Sequence, residues 1–386
     1  MKHFTLIFFI GFSFGLQGQT RYYDTPFAVF TQYNIEYGRS DMGKGKMEAL
    51  HMDIYQPTND TLLVRPLIVL AHGGGFIFGN KNNYPIETLC TRLAQMGYVT
   101  VSIDYRKGFG KKEAPEIEAK KTVEKAIDDM KMSVEFLINS TRTGNPYKID
   151  SNLIIIGGSS AGGIMGLNAA YGNFGRKIPP VQGVLSLSGA IGDTSFITRP
   201  IPCFLAHGSA DPMVPYGDSK ARFQIPLLFK APPIQIQGSS IVAQKLQKEG
   251  YPFYFHTFKN QGHAPYDKVL ERKLYPANMD ITINHLRNFL YNTYWNFGAK
   301  KIDIETGHTN EIYLERQGPD WHIYPVDKTI KKVEIIVETL ERKKVLKKKV
   351  KKKLKTFNTE IKLPTGKYRA TLVYNNFRKP FYFDIP

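Results

Sequence analysis

Short, mostly apolar runs alternate with longer amphipathic segments over the first three quarters of the chain. The runs have lengths typical of buried parallel strands and occupy residues 66–71, 99–103, 153–156, 183–187 and 202–206. Helical patterns occupy residues 84–96, 115–139, 164–170 and 238–249; the longest, 115–139, is amphipathic, and 164–170 has the composition of a packed helix. Residues 29–57 and 251–258 add further strand patterns. Strands that alternate with helices predict an α/β fold with a mostly parallel sheet between helices.

The run 153–156 leads directly into a turn of small residues. Gly158, Ser160 and Gly162 form a Gly-x-Ser-x-Gly pattern, which is typical of a nucleophile elbow. The glycines let strand and helix backbones approach closely, and Ser160 then lies at a helix N-terminus, where negative charge is stabilised. Ser159 fits the pattern less well. The alternative is a phosphate-binding turn, but the P-loop Lys-Ser/Thr pair and the dinucleotide spacing are missing.

The strand 66–71 ends in a second glycine-rich turn, His72-Gly73-Gly74-Gly75-Phe76. Backbone N–H groups in such a turn can converge on one oxygen, as an oxyanion hole requires. We predict that Gly74, Gly75 and Ala161 supply these donors. The alternative is a flexible turn without a chemical role. We interpret His72 as a side chain that holds the turn and not as a general base.

Two further candidate groups follow strands later in the chain. Asp211 comes just after the strand 202–206 and His263 just after the strand 251–258, so both are expected at the same sheet edge as Ser160. A serine nucleophile needs a base, a neutral imidazole suits that task, and a carboxylate orients the imidazole. The alternative for Asp211 is a turn-capping role. His256 lies within the strand and is not a candidate.

These motifs resemble the α/β-hydrolase superfamily over about residues 30–297, specifically the hormone-sensitive-lipase-like and related carboxylesterase families. The matching residues are 72–76, Asp104-Tyr105-Arg106, 158–163, 211–215 and Gly262-His263. The resemblance implies ester hydrolysis through an acyl-enzyme, with no cofactor. Feruloyl and acetylxylan esterases, which are secreted and act on plant polysaccharides, are similar over the same motifs. We interpret Asp104 and Arg106 as a structural pair at a strand end.

The formal net charge of +18 would suit a protein that binds nucleic acid. However, residues 328–355 hold twelve Lys, one Arg and three Glu, which is a net +10 in one short segment. This distribution predicts a local basic patch and no nucleic-acid partner. Cys90 and Cys203 do not make a disulfide framework and are predicted to be buried apolar residues. No Cys/His cluster has zinc-like spacing, so no metal is expected.

The N-terminal residues have the pattern of a secretory signal peptide. Lys2 precedes an apolar run over residues 4–16 that is too short to span a bilayer, and Gly18 is a candidate cleavage position. We expect residues 1–18 to be removed and the mature protein to be secreted without stable membrane insertion. A buried N-terminal helix is the alternative. The catalytic domain is then predicted to occupy residues 19–297.

Beyond residue 297 the alternation of strands and helices ends. Strand patterns at 333–338, 359–363, 368–374 and 380–385 predict a small antiparallel β-sandwich domain over residues 298–386. Leu346, Val350 and Leu354 also allow a short basic helix, although we favour a strand. Residues 363–386 resemble the C-terminal sorting domains of type IX secretion substrates, and a carbohydrate-binding or adhesion module is the alternative. The lysines predict contact with anionic polysaccharide or secretion machinery, or simply a soluble edge strand.

Residues 217–237 interrupt the path between Asp211 and the next helix. The segment is rich in apolar residues, among them Phe223, Leu227 and Phe229. We interpret it as a lid or pocket wall for an apolar or aromatic acyl group. The alternative is an insert that packs on the body of the domain.

The sequence therefore predicts a secreted serine carboxylesterase that acts on small-molecule or polysaccharide esters. A prolyl-oligopeptidase-like serine peptidase is one alternative, against which the absence of a propeller-sized N-terminal region counts. A catalytically silent adhesion protein on a hydrolase scaffold is the other. The intact set of Ser160, Asp211 and His263 counts against that alternative.

Overall fold

A computed structural model describes residues 21–385 apart from several short stretches. Those stretches are residues 44, 109–114, 173–178, 222–223, 226–228, 231–233, 268–276, 296–311, 318–319, 326–331, 340–343, 352–356, 361–363, 365 and 375–376. The predicted signal peptide, residues 1–18, lies outside the described residues and stays a prediction.

The described residues form twenty strands and five helices. The strands are β1 (Val29–Asp41), β2 (Met47–Pro57), β3 (Arg65–Ala71), β4 (Val99–Ile103), β5 (Ile149–Ser159), β6 (Gly183–Leu187), β7 (Ala190–Ile191), β8 (Cys203–Gly208), β9 (Asp218–Ala221), β10 (Gln224–Ile225), β11 (Phe229–Lys230), β12 (Ile234–Gly238), β13 (Phe253–Phe258), β14 (Ile312–Gln317), β15 (Asp320–Pro325), β16 (Lys332–Thr339), β17 (Lys344–Lys351), β18 (Phe357–Glu360), β19 (Gly366–Tyr374) and β20 (Phe377–Ile385). The helices are α1 (Tyr84–Gln95), α2 (Pro115–Arg142), α3 (Ala161–Tyr171), α4 (Ser239–Glu249) and α5 (Asn278–Tyr294).

Eight strands form the central sheet, in the order β1-β2-β4-β3-β5-β6-β8-β13. Only β2 runs against its neighbours, and the pairs from β4 to β13 are all parallel. A parallel sheet must be covered on both faces, because its strands are apolar on both. Successive residues of β3 accordingly enter different cores: Leu67 and Val69 face one, and Ile68 and Leu70 face the other.

The helices divide between these two cores. α2, α3 and α4 pack on the Leu67 face through residues such as Ile127, Ile164 and Val242. α1 and α5 pack on the opposite face through residues such as Leu89 and Leu286. The predicted α/β fold with a mostly parallel, helix-flanked sheet is confirmed. It brings the carboxyl ends of β3, β5, β8 and β13 to one edge of the sheet.

The insert predicted between Asp211 and α4 contributes strands to two small antiparallel sheets. β10 pairs with β11 within the insert, and β12 pairs both with β9 of the insert and with β7, which precedes Asp211. Several of its apolar residues, among them Phe223 and Leu227, lie outside the described residues. Whether the insert works as a lid remains a prediction.

The C-terminal strands form two antiparallel sheets, β14-β15-β18 and β17-β16-β19-β20. Residues 344–351 of the lysine-rich segment form the strand β17, in line with the favoured strand interpretation, while Leu354 lies outside the described residues. The sequence patterns missed β14 and β15. That the two sheets pack as one sandwich, and that this domain begins at residue 298, remain predictions.

The first described residues pack against the end of the last helix of the body. Tyr22 stacks on Trp295, with ring centroids 3.9 Å apart, and the indole N–H of Trp295 donates to the Tyr98 hydroxyl at 3.1 Å. Within the described ranges, the helices lack an apolar run long enough to cross a bilayer.

Candidate active site

Ser160 occupies a sharp turn between β5 and α3. Its backbone has φ 53° and ψ −113°, an unfavourable region for a residue with a side chain. Its N–H donates to the Leu187 carbonyl at 2.7 Å, and its own carbonyl accepts from Ile164 N–H at 2.9 Å. A β-carbon on either Gly158 or Gly162 would overlap the carbonyl oxygen of Ala71. The two glycines therefore let β3, β5 and α3 meet beneath Ser160.

The structure brings Ser160, His263 and Asp211 together in one chain of hydrogen bonds. Ser160 Oγ lies 2.8 Å from His263 Nε2, and His263 Nδ1 lies 2.7 Å from Asp211 Oδ2. The loops after β8 and β13, which are neighbouring parallel strands, carry the aspartate and the histidine. Because Nδ1 faces a carboxylate, it carries the proton, and the lone pair of Nε2 faces the serine.

Asp211 is held on both of its carboxylate oxygens. Oδ1 accepts the backbone N–H groups of Met213 at 2.8 Å and Val214 at 3.0 Å, and the side chain is fully buried. Burial favours the neutral acid, but hydrogen bonds from His207 and His263 favour the carboxylate. On balance they hold the pKa of Asp211 below its usual value. The carboxylate is therefore charged at neutral pH.

The glycine loop after β3 lies directly against the elbow. A β-carbon on Gly73 would lie 3.2 Å from Ser160 Cβ. Gly74 has φ 117°, and its carbonyl accepts the N–H groups of Ile77 at 3.0 Å and Phe78 at 3.2 Å. Gly74 and Gly75 line the same cleft as Ser160 and His263. Ala161 begins α3, so its N–H is not used within the helix.

A segment after β4 holds this loop in place. The Tyr105 hydroxyl donates to the His72 carbonyl at 3.0 Å, and the two rings stack with centroids 4.4 Å apart. Gly108 N–H donates to the Phe76 carbonyl at 2.8 Å, and Lys107 Nζ donates to the Gly79 carbonyl at 2.5 Å. Three residues of one segment, Tyr105, Lys107 and Gly108, thus hold the loop that carries the predicted oxyanion donors.

The interpretation of Asp104 and Arg106 as partners of each other is wrong. Asp104 accepts the backbone N–H of Lys81 at 2.9 Å, at the far end of the glycine loop. Arg106 instead binds the buried Asp129 of α2, with Nε 2.9 Å from Oδ1. The two charged groups therefore anchor different parts of the site.

Comparison with known proteins agrees with this architecture. The BD-FAE family model matches residues 52–186, a stretch that includes the glycine loop and Ser160. Esterase 2 of Thermogutta terrifontis, in a structure phosphorylated by paraoxon, is 17% identical, with 72% of this chain and 98% of that chain covered and a TM-score of 0.51. The fold is that of the α/β-hydrolases. This fold agrees with the one that the resemblance of the sequence motifs implied.

Two further relatives of this α/β-hydrolase are more distant. Brefeldin A esterase, described as a bacterial homologue of human hormone sensitive lipase, is 13% identical, with 69% of this chain and 77% of that chain covered and a TM-score of 0.47. Neuroligin-like protein glit-1 of Caenorhabditis elegans is 30% identical over 107 residues. That match covers 26% of this chain, and the chain spans 14% of the length of this curated relative.

The sequence motifs described above did not identify His207 as a candidate site residue. It lies on β8 and is fully buried, and its Nε2 is 3.0 Å from the same Asp211 oxygen that His263 binds. In the sequence, His207 lies at the end of an apolar run and has no feature that distinguishes it from other residues of a buried strand. The only signal is its spacing, because it precedes Asp211 by four residues at a strand end.

The cleft at Ser160 is lined by both apolar and polar side chains. Ile77, Phe78 and Met213 are the apolar ones, and Asn83 and Asp267 are polar. A second cavity lies beside α2 and α3, and the insert contributes Ile234 and Ile236 to it. The described part of the insert thus lines this second cavity and not the Ser160 cleft.

His72, His256 and the two cysteines contribute no side chain to the series of Ser160, His263 and Asp211. Burial lowers the pKa of His72 to about 4, so its ring is neutral and Nδ1 donates to the Gly73 carbonyl at 2.5 Å. His256 is buried on β13 and stacks on His285. Cys90 and Cys203 are buried free thiols, and burial raises the pKa of each. Among the described residues, there is no cluster of His, Cys, Asp and Glu suited to a metal ion.

Proposed function

We propose that the protein is a serine carboxylesterase in which Ser160 is the nucleophile, His263 the general base and Asp211 the residue that orients His263. The supporting observation is the hydrogen-bonded order of Ser160, His263 and Asp211, with links of 2.8 and 2.7 Å, on three loops at one sheet edge. The strained backbone of Ser160 adds support, because such strain is usually retained at functional positions.

The reaction follows from the proton positions. Ser160 Oγ attacks the ester carbonyl carbon as His263 Nε2 takes the hydroxyl proton, and negative charge develops on the carbonyl oxygen. The N–H groups of Gly74, Gly75 and Ala161 stabilise that oxygen. His263 then gives its proton to the departing alkoxide, which leaves an acyl-serine. Water repeats the sequence on this intermediate and releases the carboxylic acid.

Asp211 stabilises the protonated form of His263. When His263 holds two protons, the buried carboxylate lies against its Nδ1–H and stabilises the imidazolium without taking the proton. The lowered pKa of Asp211 supports this role, because the group keeps its charge throughout the pH range in which a histidine titrates.

The substrate range that we propose includes acetyl and feruloyl esters of polysaccharides, and a secreted location would give the enzyme access to them. Ile77, Phe78 and Met213, which line the cleft, are apolar side chains that suit an acyl group. Asn83, whose side chain does not cap α1, and Asp267 offer polar groups for a hydroxyl-rich alcohol. Sequence similarity of the motifs to feruloyl and acetylxylan esterases points in the same direction.

The test compares wild type, Ser160→Ala and Ser159→Ala. The substrates are p-nitrophenyl acetate, butyrate and octanoate, methyl ferulate, acetylated xylan and a prolyl anilide. We expect ester turnover in the wild type and a loss of about 10⁴-fold or more in Ser160→Ala. Ser159→Ala is the matched control, because Ser159 contacts Tyr266 at 3.0 Å and not His263. Cleavage of the anilide alone would favour a peptidase, and no turnover of any substrate would favour the silent scaffold.

A further inference from the structure

A second buried histidine shares the carboxylate that orients His263. His207 Nε2 lies 3.0 Å from Asp211 Oδ2 and 3.1 Å from the Val214 carbonyl oxygen. Its other ring nitrogen, Nδ1, lies 2.8 Å from the hydroxyl of Ser239, the first residue of α4. The imidazole is fully buried, so water does not compete for these contacts.

The partners of His207 determine where its proton sits. Both groups facing Nε2 are acceptors, so Nε2 carries a hydrogen and donates it to Asp211 and Val214. The Ser239 hydroxyl is a donor or an acceptor toward Nδ1, and it is also 3.2 Å from the Gly189 carbonyl. The single hydroxyl hydrogen of Ser239 goes either to Nδ1 or to the Gly189 carbonyl, and in both cases Nε2 keeps its hydrogen because only acceptors face it.

We propose that His207 is a positioning residue for the reaction, which donates a hydrogen bond to Asp211 and so sets both the direction and the charge that Asp211 presents to His263. The inference rests on the proposed function of Ser160, His263 and Asp211. It extends that group to an unbroken buried series of five side chains: Ser239, His207, Asp211, His263 and Ser160.

The hydrogen bond from His207 to Asp211 has two effects on the reaction. It gives Oδ2 a second donor beside His263, and so adds to the restraint that the N–H groups of Met213 and Val214 place on Oδ1. It also withdraws electron density from Oδ2, so Asp211 holds the protonated His263 less tightly. The titratable groups around His207 are Asp211, His263 and Tyr216, whose ring meets it edge-on with centroids 5.7 Å apart.

Two substitutions at His207 distinguish a role through the hydrogen bond to Asp211 from a role through packing alone. In His207→Gln the side-chain amide reaches the position of Nε2 and can still donate to Asp211. In His207→Asn the amide reaches only the position of Nδ1, so the contact with Ser239 is kept and that with Asp211 is lost. A purely structural role predicts the same behaviour for both variants, because both place an amide in the same buried site.

We expect His207→Gln to keep nearly the wild-type kcat and pH profile on p-nitrophenyl acetate. In His207→Asn, kcat falls about tenfold, a typical effect of losing a hydrogen bond to a charged group, while KM is unchanged. The acid limb of the pH profile also moves to higher pH, because Asp211 then stabilises the protonated His263 alone. The matched control is His256→Asn, which replaces a buried histidine on the neighbouring strand and should change none of these quantities.

Two further measurements decide the matter if a variant fails to fold or if the wild type hydrolyses no ester. The rate at which a fluorophosphonate labels Ser160 reports the activated serine without an ester substrate, so a labelled but esterase-inactive wild type would refute only the proposed substrate class. NMR of ¹⁵N-histidine wild-type protein should show His207 protonated at Nε2 with a downfield, slowly exchanging proton. Equal kcat values and pH profiles in the Asn and Gln variants, or an unprotonated Nε2, would overturn the proposal.

Discussion

Replacing Asp211 by asparagine changes one atom of the buried carboxylate and should nearly abolish turnover. Oδ1 accepts two backbone N–H groups, and Oδ2 accepts two imidazole N–H groups. Asparagine has one acceptor oxygen, and the rigid Met213–Val214 backbone holds it at the Oδ1 position. The amide NH₂ then faces His263 Nδ1, which must become an acceptor. The hydrogen of the neutral ring moves to Nε2, where it cannot take the proton of Ser160.

The size of the effect follows from this inverted tautomer. An aspartate-to-asparagine change in a serine–histidine–aspartate triad lowers kcat by about 10⁴-fold, and four factors of ten correspond to about 5.4 kcal/mol of transition-state stabilisation. The assay is the initial rate on p-nitrophenyl acetate between about pH 6 and pH 10, with thermal unfolding as the check on folding. Asp193→Asn is the control, since Asp193 is exposed and its oxygen caps a short turn through Ser195 N–H. Asp211→Asn within tenfold of wild-type kcat would refute the tautomer argument.

Three further substitutions test the framework around the site. Gly162→Ala forces a methyl group against the Ala71 carbonyl, and we expect a loss of about 1–3 kcal/mol in unfolding free energy together with most of the ester turnover. Lys81→Met leaves the buried Asp53 without its partner at 3.0 Å, which should cost about 3–5 kcal/mol in urea unfolding. Burial alone would raise the pKa of Asp60, but hydrogen bonds from Arg21 and Arg65 hold that pKa below its usual value. The ionised Asp60 therefore stabilises the fold above about pH 4, and this contribution is lost as the pH falls further. Asp60→Asn should therefore flatten the fall in melting temperature below that pH.

Gly162→Ala and Lys81→Met each have a control elsewhere in the chain, and Asp60→Asn is compared with the wild type. Gly217→Ala meets no heavy atom closer than 4.0 Å and should leave stability unchanged. Lys245→Met removes a solvent-exposed pair with Glu249 and should lower stability far less than Lys81→Met, because water and salt screen exposed pairs. A Gly162→Ala protein as stable as Gly217→Ala, equal losses for the two lysine variants, or parallel acid profiles for Asp60→Asn and wild type would each contradict the corresponding argument.

Much of the framework could be predicted because it depends on local patterns. Buried parallel strands need continuous apolar runs, and the close contact of β3 with α3 needs glycine at 158 and 162, so both leave marks in the sequence. The positions of Asp211 and His263 also follow from local reasoning, since each comes directly after a strand. The structure places both beside Ser160.

The parts that could not be predicted depend on contacts between distant segments. His207 looks like any other residue of a buried strand until β8 is seen to deliver it to Asp211. Asp129 lies among the charged residues of α2, and nothing in the helical pattern marks it as the buried partner of Arg106. β14 and β15 have weak strand patterns, and their pairing is the main reason that they form a sheet.

The stacking of Tyr22 on Trp295 supplies a built-in optical probe. The chain has two tryptophans. Trp295 follows the last residue of α5, and Trp321 lies on β15 in the C-terminal region. In Trp321→Phe the indole emission reports only the environment beneath Tyr22, and in Trp295→Phe it reports only the C-terminal strands. Denaturation curves of these two variants would therefore show whether the two regions melt together or apart, without any added dye or label.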